Sequence, residues 1–213
     1  MIPNARSTQT RRRLLEAAAE VFAAEGFRNA TIQQICTRAG ANIAAAHYHF
    51  GGKEGLYTAV FDWAARQATE RDRAEDAPAG PPEARLRTLV TRFLTRLLGA
   101  ARPTWMARLV AREMIEPTRA LDRLVRRRMR ANHEQIAAII RELAPEAPVD
   151  AVRLTTLSVI AQCVFYRHSA AIISRLYPDF DPAREVERIA DHVTRFSIAG
   201  LESLRGRRRD SRS

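Results

Sequence analysis

The sequence predicts an all-α protein: an N-terminal three-helix unit containing a helix-turn-helix, then a larger helical domain, about nine helices in all. Three observations predict it. Apolar residues recur at helical spacing from Leu14 to Leu201, with almost no alternation of the kind a strand needs. Glycine and proline cluster between the periodic segments rather than inside them. Finally, Thr31 to Tyr57 reads as two short helices joined by Gly40-Ala41-Asn42, and the second is too small and too polar to exist for packing alone.

Residues 1–7 read as an arm. The first helix spans about 8–25, with Leu14, Leu15, Ala18, Val21 and Phe22 inward, and Gly26 stops it. Thr31 caps the second helix, whose stripe is Ile32, Ile35, Cys36 and Ala39. Gly40 supplies its left-handed end. Asn42 caps the third, and Ala44, Ala45 and Ala46 keep that helix slim enough to approach another surface closely. A fourth helix, about 53–77, carries Leu56, Tyr57, Val60, Phe61 and Ala64 on one face and turns strongly polar in its second half, as a solvated connector does. Pro78 to Pro82 is the clearest linker.

The fifth helix, about 83–100, points Leu86, Leu89, Val90, Phe93, Leu94 and Leu97 inward. Pro103 opens the sixth, about 104–115, and Pro117 limits it. The seventh runs to about Leu143, the eighth from about Val149 to Leu176, and the ninth from about 183 to Leu204. The domains drawn from this are 1–52, the helix-turn-helix; 53–77, the connecting helix; 83–205, effector binding and dimerisation; and 206–213, a disordered basic tail.

Charge and motif agree on a partner. The net charge is +11, and Lys53 is the only lysine. Such a balance favours a polyanion, either nucleic acid or an acidic surface. A helix-turn-helix lays its second helix in the major groove. Asn42, Ile43, Ala45, His47 and Tyr48 are the candidate base readers, through amide and imidazole hydrogen bonds and apolar contact with thymine methyls. Thr31, Gln33, Tyr48, His49 and Lys53 are the candidate phosphate contacts, with Arg6, Arg11, Arg12 and Arg13 near the arm.

Other chemistry finds little support. Gly51-Gly-Lys-Glu-Gly lacks the spacing of a phosphate-binding loop, no metal-ligand spacing is visible, and no nucleophilic triad is evident, so no enzyme and no cofactor is expected. Cys36 and Cys163 sit in apolar helical patterns and read as small buried hydrophobes, with a redox sensor as the other reading. No signal peptide and no run of membrane-span length is seen, so a cytoplasmic location without membrane contact is expected.

The eighth helix is apolar on more than one side, which calls for burial on more than one side. A partner subunit is expected to cover the second, the other reading being the core of a monomer. Leu157, Ile160, Val164 and Phe165 on that helix, with Val193, Phe196 and Leu201 on the ninth, are the candidate dimer contacts. Polar groups on apolar faces mark a candidate ligand site: Phe93, Trp105, Met106, Leu109, Glu113, Met114, Tyr166 and His168. Glu113 reads either as the reader of a cationic or amphipathic aromatic effector, or as the ion-pair partner of an arginine on a neighbouring helix.

Thr31, Ile35, Ala39-Gly40, Tyr48, Phe50, Lys53 and Leu56 form a pattern that resembles the DNA-binding domain of the TetR family of bacterial transcriptional regulators. The run from Tyr48 to Tyr57, with Arg112 to Thr118, Gln162 to Tyr166 and Ile189 to His192, is similar to its CecR-like (CerR-like) branch. Ala46 and His47 depart from the residues usual in that family. The resemblance implies a homodimeric, ligand-released repressor that binds a palindromic operator in double-stranded DNA and takes a small-molecule effector. The alternative is a charge-driven binder of nucleic acid or acidic surfaces without base readout.

Overall fold

The computed structural model describes residues 5–72, 78–99 and 104–210. Within them lie eleven α-helices and one π turn: α1 Ala5–Asn29, α2 Ile32–Ala39, α3 Ile43–Phe50, α4 Lys53–Asp72, α5 Pro82–Leu98, α6 Thr104–Ile115, α7 Arg119–Leu124, the π turn Val125–Met129, α8 Arg130–Leu143, α9 Val149–His168, α10 Ala170–Leu176 and α11 Val186–Asp210. Pro103, part of the connector's end and the last residues of the tail lie outside the described residues.

The local starts follow from capping. Thr31 and Gln34 form a reciprocal box: Gln34 N–H donates to the Thr31 hydroxyl at 3.1 Å, and Thr31 N–H donates to Gln34 Oε1 at 2.8 Å. Ala45 N–H donates to Asn42 Oδ1 at 2.7 Å. Gly40, at φ 57°, ends α2 in the left-handed region where a Cβ is strained. Pro82 sits at the first turn of α5, where its missing N–H costs nothing.

Several expected boundaries move. Gly26, at φ 80° and ψ 169°, breaks the first helix as expected, but a further turn follows it to Asn29. The expected seventh helix is divided by the π turn. The expected eighth breaks at Ser169, into α9 and α10. The helix expected to end near Leu204 continues to Asp210, through residues drawn as disordered tail. Arginine is a good helix former, and no proline interrupts the run. By length and composition α9 also reaches the range of a membrane-crossing helix, with mean hydropathy 1.3, against the expectation of no such run.

The chain packs as two compact units: Met1–Glu75 with Arg102–Met129, and Asp76–Ala101 with Arg130–Ser213. The first unit gathers α1 to α4 with α6, α7 and the π turn. Its core is Leu14, Leu15, Ala18, Phe22, Ile35, Leu56, Val60 and Leu109. The sixth helix, expected in the C-terminal domain, thus packs on α1. The second unit gathers α5 and α8 to α11 around Leu86, Leu94, Ile136, Ile140, Val159, Cys163 and Val193.

In the second unit α9 separates cleanly. Val152, Thr156, Val159 and Cys163 are buried on one side, while Leu154 (62% exposed), Leu157 (50%) and Phe165 (56%) stand on the opposite side. Both cysteines are buried. Burial pushes the Cys163 thiol up to about 12, so almost no thiolate exists near neutrality. Iodoacetamide is therefore expected to leave Cys163 unmodified in the folded protein at mildly alkaline pH and to label it fully in concentrated guanidinium. Peptide mass spectrometry reads the difference, and rapid labelling in the native state would contradict the burial.

Candidate nucleic-acid interface

The candidate surface grows from three short-range facts. The cap at Asn42 fixes where α3 begins, Gly51 at φ 73° fixes where it ends, and its inner face is anchored by one residue, Ala46, which is fully buried. Ala45 and Phe50 pack beside it, half-buried, and much of the remaining helix faces outward. Ile43 is 47% exposed and Tyr48 83%; Asn42, Ala44 and His47 are exposed, while Ala45 and His49 are half-buried. The expected slimness therefore divides: Ala44 stays on the outer surface, whereas Ala46 is buried in the core of the first unit.

The remaining predicted contacts are placed as follows. Thr31 is exposed at the start of α2, but its hydroxyl already accepts from Gln34 N–H and donates to Gln34 Oε1 at 3.0 Å. Gln33 is exposed on the first turn of α2. Lys53 Nζ donates to the Arg28 carbonyl at 2.9 Å and lies 4.9 Å from the centroid of Phe27. Its charge is thereby tethered over the end of α1, and two of its three donors remain. Arg11 lies over the ring of Phe50 at 5.3 Å, at the far end of α3. Arg12 bonds Glu16 at 2.8 Å, and Arg38 bonds Glu20. These exposed pairs contribute little to stability, but they fix where the guanidinium groups stand.

The candidate ligand residues divide between the two units. Trp105, Met106, Leu109, Glu113 and Met114 lie in the first; Phe93, Tyr166 and His168 lie in the second. Leu109 is 1% exposed and belongs to the core of its unit. Trp105 stacks on Trp63, with centroids 5.4 Å apart and planes within 6°. Met114 is 58% exposed. Tyr166 is half-buried, 6.3 Å from the Phe180 ring, and His168 is exposed. Buried hydroxyls of Thr91 and Thr194, in the second unit, have no hydrogen-bond partner among the described residues. Nothing in the sequence marks those two, because a threonine in a helix reads the same paired or unpaired.

Glu113 is 1% exposed. Among the described residues no arginine pairs with it: Arg112 donates instead to the Ala23 carbonyl at 3.3 Å and to the Ala24 carbonyl at 2.6 Å. Glu113 accepts from the Tyr57 hydroxyl at 2.6 Å, and from the Thr118 N–H and hydroxyl, each at 2.9 Å. Burial, then this bond, raise the Tyr57 hydroxyl well above its usual range. Tyr57 and Thr118 were missed as partners because they lie 56 and 5 residues from Glu113, in no local pattern.

Two of the candidate dimer contacts are corrected by burial. Val193 (1% exposed) and Leu201 (3%) point into the core of their own unit. Ile160 and Val164 are half-buried, whereas Leu157, Phe165 and Phe196 (64%) are exposed. Among the described residues no three His, Cys, Asp or Glu side chains gather closely enough to hold a metal ion.

Comparison with known proteins follows the same division. Residues 14–60 match the family described as bacterial regulatory proteins, tetR family. Residues 82–201 match the C-terminal domain of the HTH-type transcriptional dual regulator CecR. CecR of Shigella flexneri is 35% identical over 122 residues, 53% of this chain and 54% of that protein. The HTH-type transcriptional regulator SrpR of Pseudomonas putida is 43% identical over 56 residues, 26% of each chain. The chain thus spans about half the length of the first of these curated relatives and about a quarter of the second. Among solved structures, a putative transcriptional regulator from Pseudomonas aeruginosa PAO1 has a TM-score of 0.68 at 21% identity, covering 91% of this chain and 92% of that one, and so shares the fold.

Proposed function

Because the chain belongs to the TetR family of bacterial regulators, in the branch with a CecR-type C-terminal domain, we propose that it is a sequence-specific DNA-binding transcriptional regulator rather than an enzyme. It works in the cytoplasm as a homodimer on a palindromic operator and is released by a small-molecule effector. The observation that carries this reading is the outer face of α3. Ile43 and Tyr48 are a large apolar and a large aromatic side chain held in water on a capped helix otherwise tied down by Ala46. A helix that existed only for packing would turn such residues inward.

The roles follow from placement. Ile43, Ala45 and His47 read base edges; Asn42 does so through the amide nitrogen its cap leaves free. Tyr48, His49, Gln33, Thr31 and Lys53 contact phosphates and set the register. In the dimer the two copies of α3 stand about 34 Å apart, one turn of duplex. Leu157, Phe165 and Phe196, exposed on α9 and α11, supply the subunit contact. The effector is held in the second unit by Phe93 and Tyr166, with the unpaired Thr91 and Thr194 hydroxyls as polar readers. Its binding shifts the population of DNA-binding conformers, with a coupling of about 1–3 kcal/mol. The signal passes through α6 and α4.

The test separates base readout from charge. The protein is titrated with the duplex immediately upstream of its own coding sequence and with random duplex, over a salt series. A preference of about 10³-fold or more for the upstream duplex is expected. Equal affinities with a steep salt slope would leave only the charge-driven binder. Tyr48→Ala is expected to weaken the upstream duplex by ~10-fold or more while leaving the fold unchanged, since 83% of Tyr48 is already in water. Asn42→Ala is expected to lose a comparable amount and also about 1 kcal/mol of stability, because it removes the cap.

A further inference from the structure

We propose that Arg112 and Glu113, consecutive residues of α6, form a two-sided clamp that positions the DNA-reading helices, with Glu113 acting as a positioning residue within the first unit rather than as a reader of effector. The inference rests on the DNA-binding reading above.

Neighbouring residues of a helix point about 100° apart, so the two side chains reach different elements. The Arg112 guanidinium bonds the carbonyls of Ala23 and Ala24, on the turn of α1 that precedes the kink at Gly26. Its remaining nitrogen, Nη1, sits 2.9 Å from where a Cβ on Gly26 would stand. Position 26 favours glycine for its φ of 80°, and the guanidinium packs against the turn there. On the other side, Glu113 takes three donors from two elements, Tyr57 on α4 and Thr118 at the cap of α7.

A carboxylate 1% exposed, bonded by three neutral donors and by no cation among the described residues, is costly to disturb. Removing any donor leaves part of a buried charge unsatisfied. The Tyr57 ring meets Phe22 at 4.8 Å and Phe27 at 4.9 Å. Phe27 lies beneath Lys53, the first residue of α4, two glycines after the end of α3. A continuous chain of contacts thus runs from Glu113 to the exit of the recognition helix. Directional bonds of 2.6–2.9 Å hold it in place, where apolar packing alone would permit sliding.

The test uses the full chain with Tyr57→Phe and Glu113→Gln. The first removes one hydroxyl and keeps every ring contact. The second keeps shape but turns an amide nitrogen toward a donor. In the DNA-free protein, the amides of Phe27–Ala30 and Ile43–Phe50 are expected to exchange hydrogen ~10-fold faster in both variants, with those of Leu86–Leu94 unchanged. Affinity for the duplex upstream of the gene is expected to fall ~10-fold, affinity for random duplex is expected to hold, and the losses in the double variant are expected to add to less than their sum, since both substitutions disturb the Tyr57–Glu113 bond. Wild-type exchange over α3, or faster exchange spread evenly over both units, would overturn the clamp. If the wild-type protein shows no preference for the upstream duplex, the DNA-binding reading fails by itself, and the exchange measurement still decides the clamp.

Discussion

A chain carrying both Leu157→Glu and Phe165→Glu is expected to be monomeric and to bind its operator about 100-fold more weakly, or worse, while keeping its helical content. Both side chains are half or more exposed in the single subunit, so carboxylates there meet water and the fold does not suffer. In the proposed dimer the same positions are covered. Burying a leucine or phenylalanine contributes about 1.5–3 kcal/mol, and two-fold symmetry counts each side chain twice. Four carboxylates brought together at such a contact add repulsion and desolvation on top of that loss. A single recognition helix then engages a single half-site, and the advantage of two linked readers disappears. Light scattering after gel filtration, beside an operator titration, measures both consequences. A double variant that stays dimeric would place the subunit contact elsewhere than on the outer face of α9.

Phe22→Ala is expected to destabilise the first unit by about 3–5 kcal/mol, the usual cost of emptying a buried phenylalanine site. Phe22 is fully buried on α1. It meets the Tyr57 ring edge-on at 4.8 Å and lies 6.3 Å from Phe27, so its loss removes the centre of an aromatic cluster, not a single contact. That loss is a large share of the ~5–15 kcal/mol that holds a typical domain together. The reporter is built in. The protein's two tryptophans, Trp63 and Trp105, stack on each other within the first unit. Their fluorescence in a guanidinium titration therefore follows that unit, while far-ultraviolet dichroism follows all the helices. The fluorescence midpoint is expected to fall sharply and to separate from the dichroism of the second unit. A shift worth less than about 1 kcal/mol would mean that the site closes over the gap.

Particular elements show how far the sequence could be read. The helix-turn-helix was legible almost to the residue, because Thr31, Gly40 and Asn42 act on amides and carbonyls two to four residues away. The Ser169 break and the π turn at Val125–Met129 were not legible. Neither carries glycine or proline, so no local breaker marks it. The outward candidates on α3 were legible as a set. That Lys53 is tied to the Arg28 carbonyl, and that Ala46 faces the core, was not.

By itself the sequence determined the helical class, the order and caps of the short N-terminal helices, the basic charge and the family, since each is written in residue types over spans of a few residues. Only the tertiary structure decided which apolar residues are spent inside the subunit. Val193 and Leu201 are buried while Leu157, Phe165 and Phe196 remain outside, although all five look alike as letters at helical spacing. It also decided that Glu113 is held by Tyr57 and Thr118 and that Arg112 grips the kink in α1. The physical reason is range. Caps and periodicity act along the chain, whereas burial and the choice of hydrogen-bond partner depend on which distant segments the packed core brings together.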